Sequence, residues 1–205
     1  MGNSKENISK EKKIILATTS IYRIEIFKKL WLYFVSEWSN VDEYTVDRPS
    51  DPVELTKYLA KLKAEVVAKN YKEGIVIWFD SVWLFNGEVL EKPKSREEWF
   101  SRLKTMSWQT FSFYGWVYMI DTSTGKILSN CIKTDSTMRG YSDEEINKYL
   151  DNCNEWYKTH AHGFNPCDYY SMTFINKMVG DPLNVMMWIP ISTVMEMLKE
   201  IWYEI

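Results

Sequence analysis

Glycine is scarce in this sequence, at eight residues in 205, where a soluble protein carries about 7%. A chain so short of glycine has few positions free to take left-handed turns. Cysteine is also sparse: Cys131, Cys153 and Cys167 are odd in number and form no C-x-x-C pair. That speaks against a disulfide framework or a cysteine zinc site, and it predicts a reducing, cytoplasmic setting. The two histidines stand in "HAHGFN" (His160, His162) with no third ligand nearby, so they read as loop residues rather than a metal pair. No apolar run approaches the roughly 20 residues of a membrane span, so no membrane partner is expected. Positive charge is in no excess, with 25 Lys+Arg against 28 Asp+Glu, which argues against a nucleic acid polymer as partner.

What is present points to a chain of alternating strands and helices. The start, "MGNSKENISKEKK", lacks the apolar core of a signal peptide, and Glu6 stands where a myristoylation signal needs Ser or Thr. Residues 1–12 read as a polar tail and 13–205 as a single α/β domain, whose 45% hydrophobic content can fill one core. Ile14–Ala17 predicts a buried strand, and Ile24, Phe27 and Leu30 give the next segment a helical stripe. Asp51 and Pro52 read as N-cap and first residue of a helix carrying Leu55, Leu59, Leu62 and Val66. "GIVIWFDSVWLF" is apolar on both sides of Asp80, as in a strand covered on both faces. Ser95-x-x-Glu98 and Ser142-x-x-Glu145 read as capping boxes, with a hairpin between them turning at Thr122–Gly125. "YYSMTFINKMVG" predicts one or two strands, and Ser192 the cap of a last helix to about Ile201. Tryptophan numbers ten, some of it in "MSWQT" and "YGWVY", which read as turns.

Two features carry candidate chemistry. The run Ile14–Ala17 ends at Thr18-Thr19-Ser20, and the following helix has Arg23 in its first turn. Free N–H groups, hydroxyls and a cation at a helix N-terminus hold anions, although a hydroxyl cap needs no ligand. Asp80 is a carboxylate inside an apolar strand, which is costly unless it is paired or bound to a cation.

The order of these pieces resembles the Maf family of nucleoside triphosphate pyrophosphatases, from Lys13 to Ile205. "TTSIYR" stands for the family's Ser-x-Ser-Pro-Arg-Arg, Asp42-Glu43 for its "DE" loop, and "LAKLKA" with Lys63 for Leu-Ala-x-x-Lys-Ala. Trp78-Phe79-Asp80-Ser81 stands for Gly-Ala-Asp-Thr, and "GEVLEKP" agrees residue for residue. "MSWQT" stands for Ser-Gly-Gln-Thr, and "GDPLNVMMWIPIS" for Gly-Asp-x-x-Asn-Val-x-Gly-Leu-Pro with one residue more. The resemblance implies an α/β fold with a bent mixed β-sheet, flanking helices and a central cleft, similar to inosine triphosphatase. It implies hydrolysis of the α–β phosphate bond of dTTP, UTP or a modified nucleotide, giving monophosphate and pyrophosphate. Asp80, Glu43 and Lys92 would be catalytic, and Thr18, Ser20, Arg23, Lys63 and Asn165 would bind substrate. Glu43 and Asp80 would hold Mg²⁺ or Mn²⁺ through oxygen ligands, with Asp80 as the base. A homodimer is the implied assembly.

The sequence also departs from the family. Ile21-Tyr22 replaces a Pro-Arg pair, so one phosphate cation is missing, and Asn165 stands where a Gln belongs. Trp31, Trp78, Trp108, Trp116, Trp188 and Trp202 all occupy glycine places. A bulky residue forced into a glycine conformation costs about 1–3 kcal/mol. Restoring glycine at Trp78 and Trp108 is therefore expected to raise both melting temperature and activity. Arg23→Ala is expected to weaken anion binding and leave stability unchanged, as for a surface charge. The alternatives are a catalytically impaired nucleotide-binding protein of the same fold and a pyrophosphatase preferring 7-methyl-GTP.

Overall fold

A computed structural model of the chain describes residues 12–39, 41, 49, 51–153, 161, 163, 164 and 169–201. The N-terminal half runs β1 (Ile14–Leu16), α1 (Ile21–Lys29), β2 (Phe34–Ser36), α2 (Pro52–Ala68), β3 (Ile75–Phe85). Strand β1 lies between β2 and β3 and is parallel to both. The chain continues through β4 (Glu88–Val89), α3 (Arg96–Met106), β5 (Thr110–Asp121), β6 (Ile127–Met138) and α4 (Asp143–Asn152). It closes with α5 (Tyr169–Met172), β7 (Ile175–Val179), α6 (Pro182–Met187) and α7 (Ile191–Glu200). Among the described residues the strands form one seven-stranded mixed sheet in the order β2-β1-β3-β5-β6-β7, with β4 paired to β3. No helix among them is long and apolar enough to cross a membrane.

Two-residue periodicity explains how β3 is covered on both faces. Ile75, Ile77 and Phe79 point into a cluster with Phe27 of α1 and Val194 and Leu198 of α7. Val76 and Trp78 point the other way, against Ala60, Ala64 and Val67 of α2. Burying one such side chain is worth about 1.5–3 kcal/mol, so both faces hold β3 firmly. Further along, Trp83 joins Phe111 and Phe113 of β5 against Trp99 of α3 and Tyr149 of α4 in a third cluster. Strand β1 stops at Leu16 while β3 runs on past Asp80. That difference in length opens a recess at the carboxyl end of β1, the usual ligand position in a parallel sheet.

Local signals mostly hold. Asp51 caps α2 by accepting the Val53 and Glu54 N–H groups, with Pro52 in the first turn. Ser142 and Glu145 form a complete capping box on α4. At α3 only half of the box forms, because the Glu98 carboxylate accepts the Lys94 N–H instead of closing on Ser95. Three expectations are corrected. "YYSM" is the helix α5, with a single strand, β7, after it. The last helix begins from Pro190 with no side-chain cap, so Ser192 lies inside its first turn. "YGWVY" is the middle of β5, not a turn.

The tryptophans in glycine places divide by backbone conformation. Trp31 (φ 57°), Trp108 (φ 61°) and Trp188 (φ 53°) are in the left-handed region, each just past or at the end of a helix. This is the position glycine ordinarily fills. Trp78 and Trp116 lie within β3 and β5, and Trp202 is outside the described residues. Trp31 is 95% exposed and Trp108 73%, so little packing offsets their strain. The left-handed conformation costs about 1–2 kcal/mol, and glycine's extra freedom in the unfolded chain returns about 0.4–1 kcal/mol of that. Trp31→Gly and Trp108→Gly should each stabilise by roughly 0.5–1 kcal/mol, a rise in melting temperature of about 1–4 °C. A calorimetric melt showing a fall at both sites would count against the strain.

Candidate active site

The turn after β1 is tightly wound. The Ala17 N–H donates to the Ile77 carbonyl at 2.9 Å and the Thr18 N–H to the Leu16 carbonyl at 2.8 Å. Thr18 Oγ1 accepts the Ser20 N–H at 3.2 Å, and Ser20 caps α1 by accepting the Arg23 N–H at 3.5 Å. These bonds fix the hydroxyls and the start of α1 at the mouth of the recess. They satisfy some of the helix's free N–H groups, as a plain cap would.

Arg23 reaches across from α1 to β3. Its Nη1 donates to the Phe79 carbonyl at 2.9 Å, and its guanidinium lies 5.5 Å from the Phe79 ring centre. Burial lowers its pKa to about 10, against the opposing pull of the Asp80 charge. It remains a cation at neutral pH. From α2, Lys63 is buried and brings its Nζ to 3.7 Å from Asp80 Oδ2 and 4.9 Å from the Trp78 ring centre. Asp80 Oδ1 accepts the Ser81 N–H at 2.9 Å, which fixes the carboxylate on its strand.

These groups share the wall of one cavity of about 320 Å³. Five of the sequence-predicted residues, Thr18, Ser20, Arg23, Lys63 and Asp80, line it together. Two cations face one carboxylate there among the described residues, so the wall favours an anion. Lys92 is exposed on the loop after β4 and is not part of this wall. Glu43 and Asn165 lie outside the described residues, as do His160 and His162. Sequence patterns do not single out Trp38, Ser39 and Val41, which line the cavity from the segment after β2. Their signal is weak, because β2 is a three-residue, half-exposed edge strand with no periodicity to reveal it.

Among the described residues no three of His, Cys, Asp and Glu stand together as a metal cage. Asp80 is the one carboxylate they place in the cavity wall. A single hard oxygen donor of this kind suits Mg²⁺, which binds through one or two carboxylates and relies on substrate phosphates and water for the rest.

A family model described as Maf-like protein matches residues 13–201. A dTTP/UTP pyrophosphatase of Clostridium perfringens (strain SM101 / Type A) is 34% identical over 175 residues, covering 85% of this chain and 90% of that one. A 7-methyl-GTP pyrophosphatase of Pseudoalteromonas translucida is 28% identical over 193 residues, 91% of each chain. Among solved structures, the Staphylococcus aureus Ham1 protein superposes with a TM-score of 0.44 at 18% identity, over 62% of this chain and 72% of that one. With its family model matched from β1 to the end of α7, this chain belongs to the Maf family.

Proposed function

We propose that this chain is a nucleoside triphosphate pyrophosphatase, acting on dTTP and UTP. The observation that carries the reading is the shared cavity in which Asp80 sits 3.7 Å from Lys63, with Arg23 and the start of α1 beside them. A triphosphate brings about four negative charges and needs cations and N–H donors, which Arg23, Lys63 and the first turn of α1 supply. Water attacks the α phosphorus, the bridging oxygen leaves with pyrophosphate, and the nucleoside keeps one phosphate. Asp80 accepts the proton of that water, and Lys63 beside it offsets charge on the phosphates. Asp80, with Glu43 as the second ligand, would also hold Mg²⁺ or Mn²⁺, and a bound ion supplies further neutralisation of the phosphates. The active unit is a homodimer in this reading, which light scattering would check.

Incubation with dTTP, UTP and 7-methyl-GTP in the presence of Mg²⁺ tests the proposal. Pyrophosphate and monophosphate are the expected products, fastest from the two pyrimidine nucleotides. Orthophosphate as the direct product would overturn it.

Arg23 gives a second test, and here the structure alters the expectation drawn from the sequence. Its guanidinium is packed on Phe79 and donates to a backbone carbonyl, so it is not a simple surface charge. Arg23→Ala should weaken triphosphate affinity by about 1.5–3 kcal/mol, the worth of a charge-assisted hydrogen bond. It should also destabilise the fold by about 1–3 kcal/mol, because the Phe79 carbonyl loses its donor. Calorimetric binding and a thermal melt measure the two effects separately. Unchanged affinity would remove Arg23 from the phosphate site.

A further inference from the structure

We infer that Trp38 is the platform on which the nucleobase of the substrate stacks, an inference that rests on the pyrophosphatase reading above. Among the described residues three aromatic side chains line the cavity: Trp38, Trp78 and Phe79. Two of them are already engaged by the cations. Trp78 is 8% exposed with the Lys63 ammonium over its ring, and Phe79 is 2% exposed beneath the Arg23 guanidinium. Trp38 differs in being 66% exposed, at the rim of the same cavity.

The position suits a base. Phosphates drawn to Arg23 and Lys63 occupy the polar interior, which leaves the base of the same molecule at the opening. Ser39, next in sequence, is 4% exposed, so the segment is anchored and the indole is held at the rim. A flat, weakly hydrated base gains by covering an exposed indole, and the gain is tolerant of base identity because every base has a π-face. The other highly exposed tryptophans among the described residues, Trp31 and Trp108, follow helix ends and do not line this cavity.

The test compares a ligand that has a base with one that does not. KM for UTP and dTTP, and the inhibition constant of inorganic tripolyphosphate, are measured for wild type, Trp38→Ala and Trp38→Phe. Loss of one base–aromatic stack should raise KM in the alanine variant roughly 5- to 150-fold, with the loss in KM rather than kcat. Tripolyphosphate, which has no base to stack, should inhibit wild type and Trp38→Ala equally, and Trp38→Phe should recover most of the affinity. An unchanged KM in Trp38→Ala overturns the platform while leaving the pyrophosphatase reading intact. So does a parallel loss of tripolyphosphate inhibition, which would make Trp38 a support of the cavity wall. A wild-type protein that binds neither UTP nor tripolyphosphate overturns both readings together.

Discussion

Asp80→Asn should lower kcat for dTTP and UTP by roughly 10²–10⁴-fold, the usual contribution of a positioned acid–base group, while the protein stays folded. Asparagine matches aspartate in size, and its Oδ1 can still accept the Ser81 N–H that Asp80 Oδ1 accepts at 2.9 Å. What disappears is the negative charge, and with it the capacity to take a proton or hold a divalent ion. The ion pair with Lys63 at 3.7 Å is lost as well, but the Asp80 side chain is 24% exposed and the cavity is open to water. Lys63, however, is buried, so losing its charge partner costs more than in an exposed pair, about 1–3 kcal/mol, a fall in melting temperature of about 2–12 °C. Pyrophosphate release and a thermal melt on the same preparation decide the matter. A variant that melts normally and keeps most of its rate would take Asp80 out of the mechanism.

Asp80 stands out in the sequence because its signal is local. A carboxylate in the middle of an apolar run demands an explanation, and β3 is long enough to show both faces covered. The Asp51–Pro52 start of α2 and the capping box at Ser142 are legible for the same reason, since the residues that decide them are within a few positions of one another. The tertiary neighbours of Arg23 are not. Its place in the first turn of α1 follows from sequence, but its packing on Phe79, 56 residues away, follows from how α1 crosses the sheet. Short elements escape too. The half-exposed strand β2 and the six-residue helix α6 carry too little pattern to read, and without β2 there is no sign of Trp38 and Ser39 at the cavity rim. The tryptophans show the limit most clearly. Trp78 and Trp108 both stand in glycine places of the family, yet only Trp108 has a positive φ. That distinction depends on whether the chain is turning out of a helix or running through a sheet.

The same distinction reverses the expected effect of Trp78→Gly, which should destabilise the protein by about 3–5 kcal/mol, as large core truncations do. Trp78 is 8% exposed and packs with Ile15, Ala17, Ala60, Ala64 and Tyr118 between the sheet and α2. Removing the indole leaves a void on that face, and glycine in a strand interior adds about 0.5–1 kcal/mol through backbone freedom. One term opposes the loss: the indole N–H is buried with no hydrogen-bond partner, and removing it relieves about 1–3 kcal/mol. Lys63 also loses the ring 4.9 Å from its ammonium, a contact worth about 0.5–2 kcal/mol. The packing loss is the largest of these terms, so the melting temperature should fall by about 6–20 °C. Trp78→Phe separates the contributions, because it keeps a ring beneath Lys63 and most of the buried area but carries no N–H to leave unpaired. It should melt well above the glycine variant. If glycine instead raised the melting temperature above that of wild type, the indole would be a strained intruder between β3 and α2, and the core on that face would have to close without it.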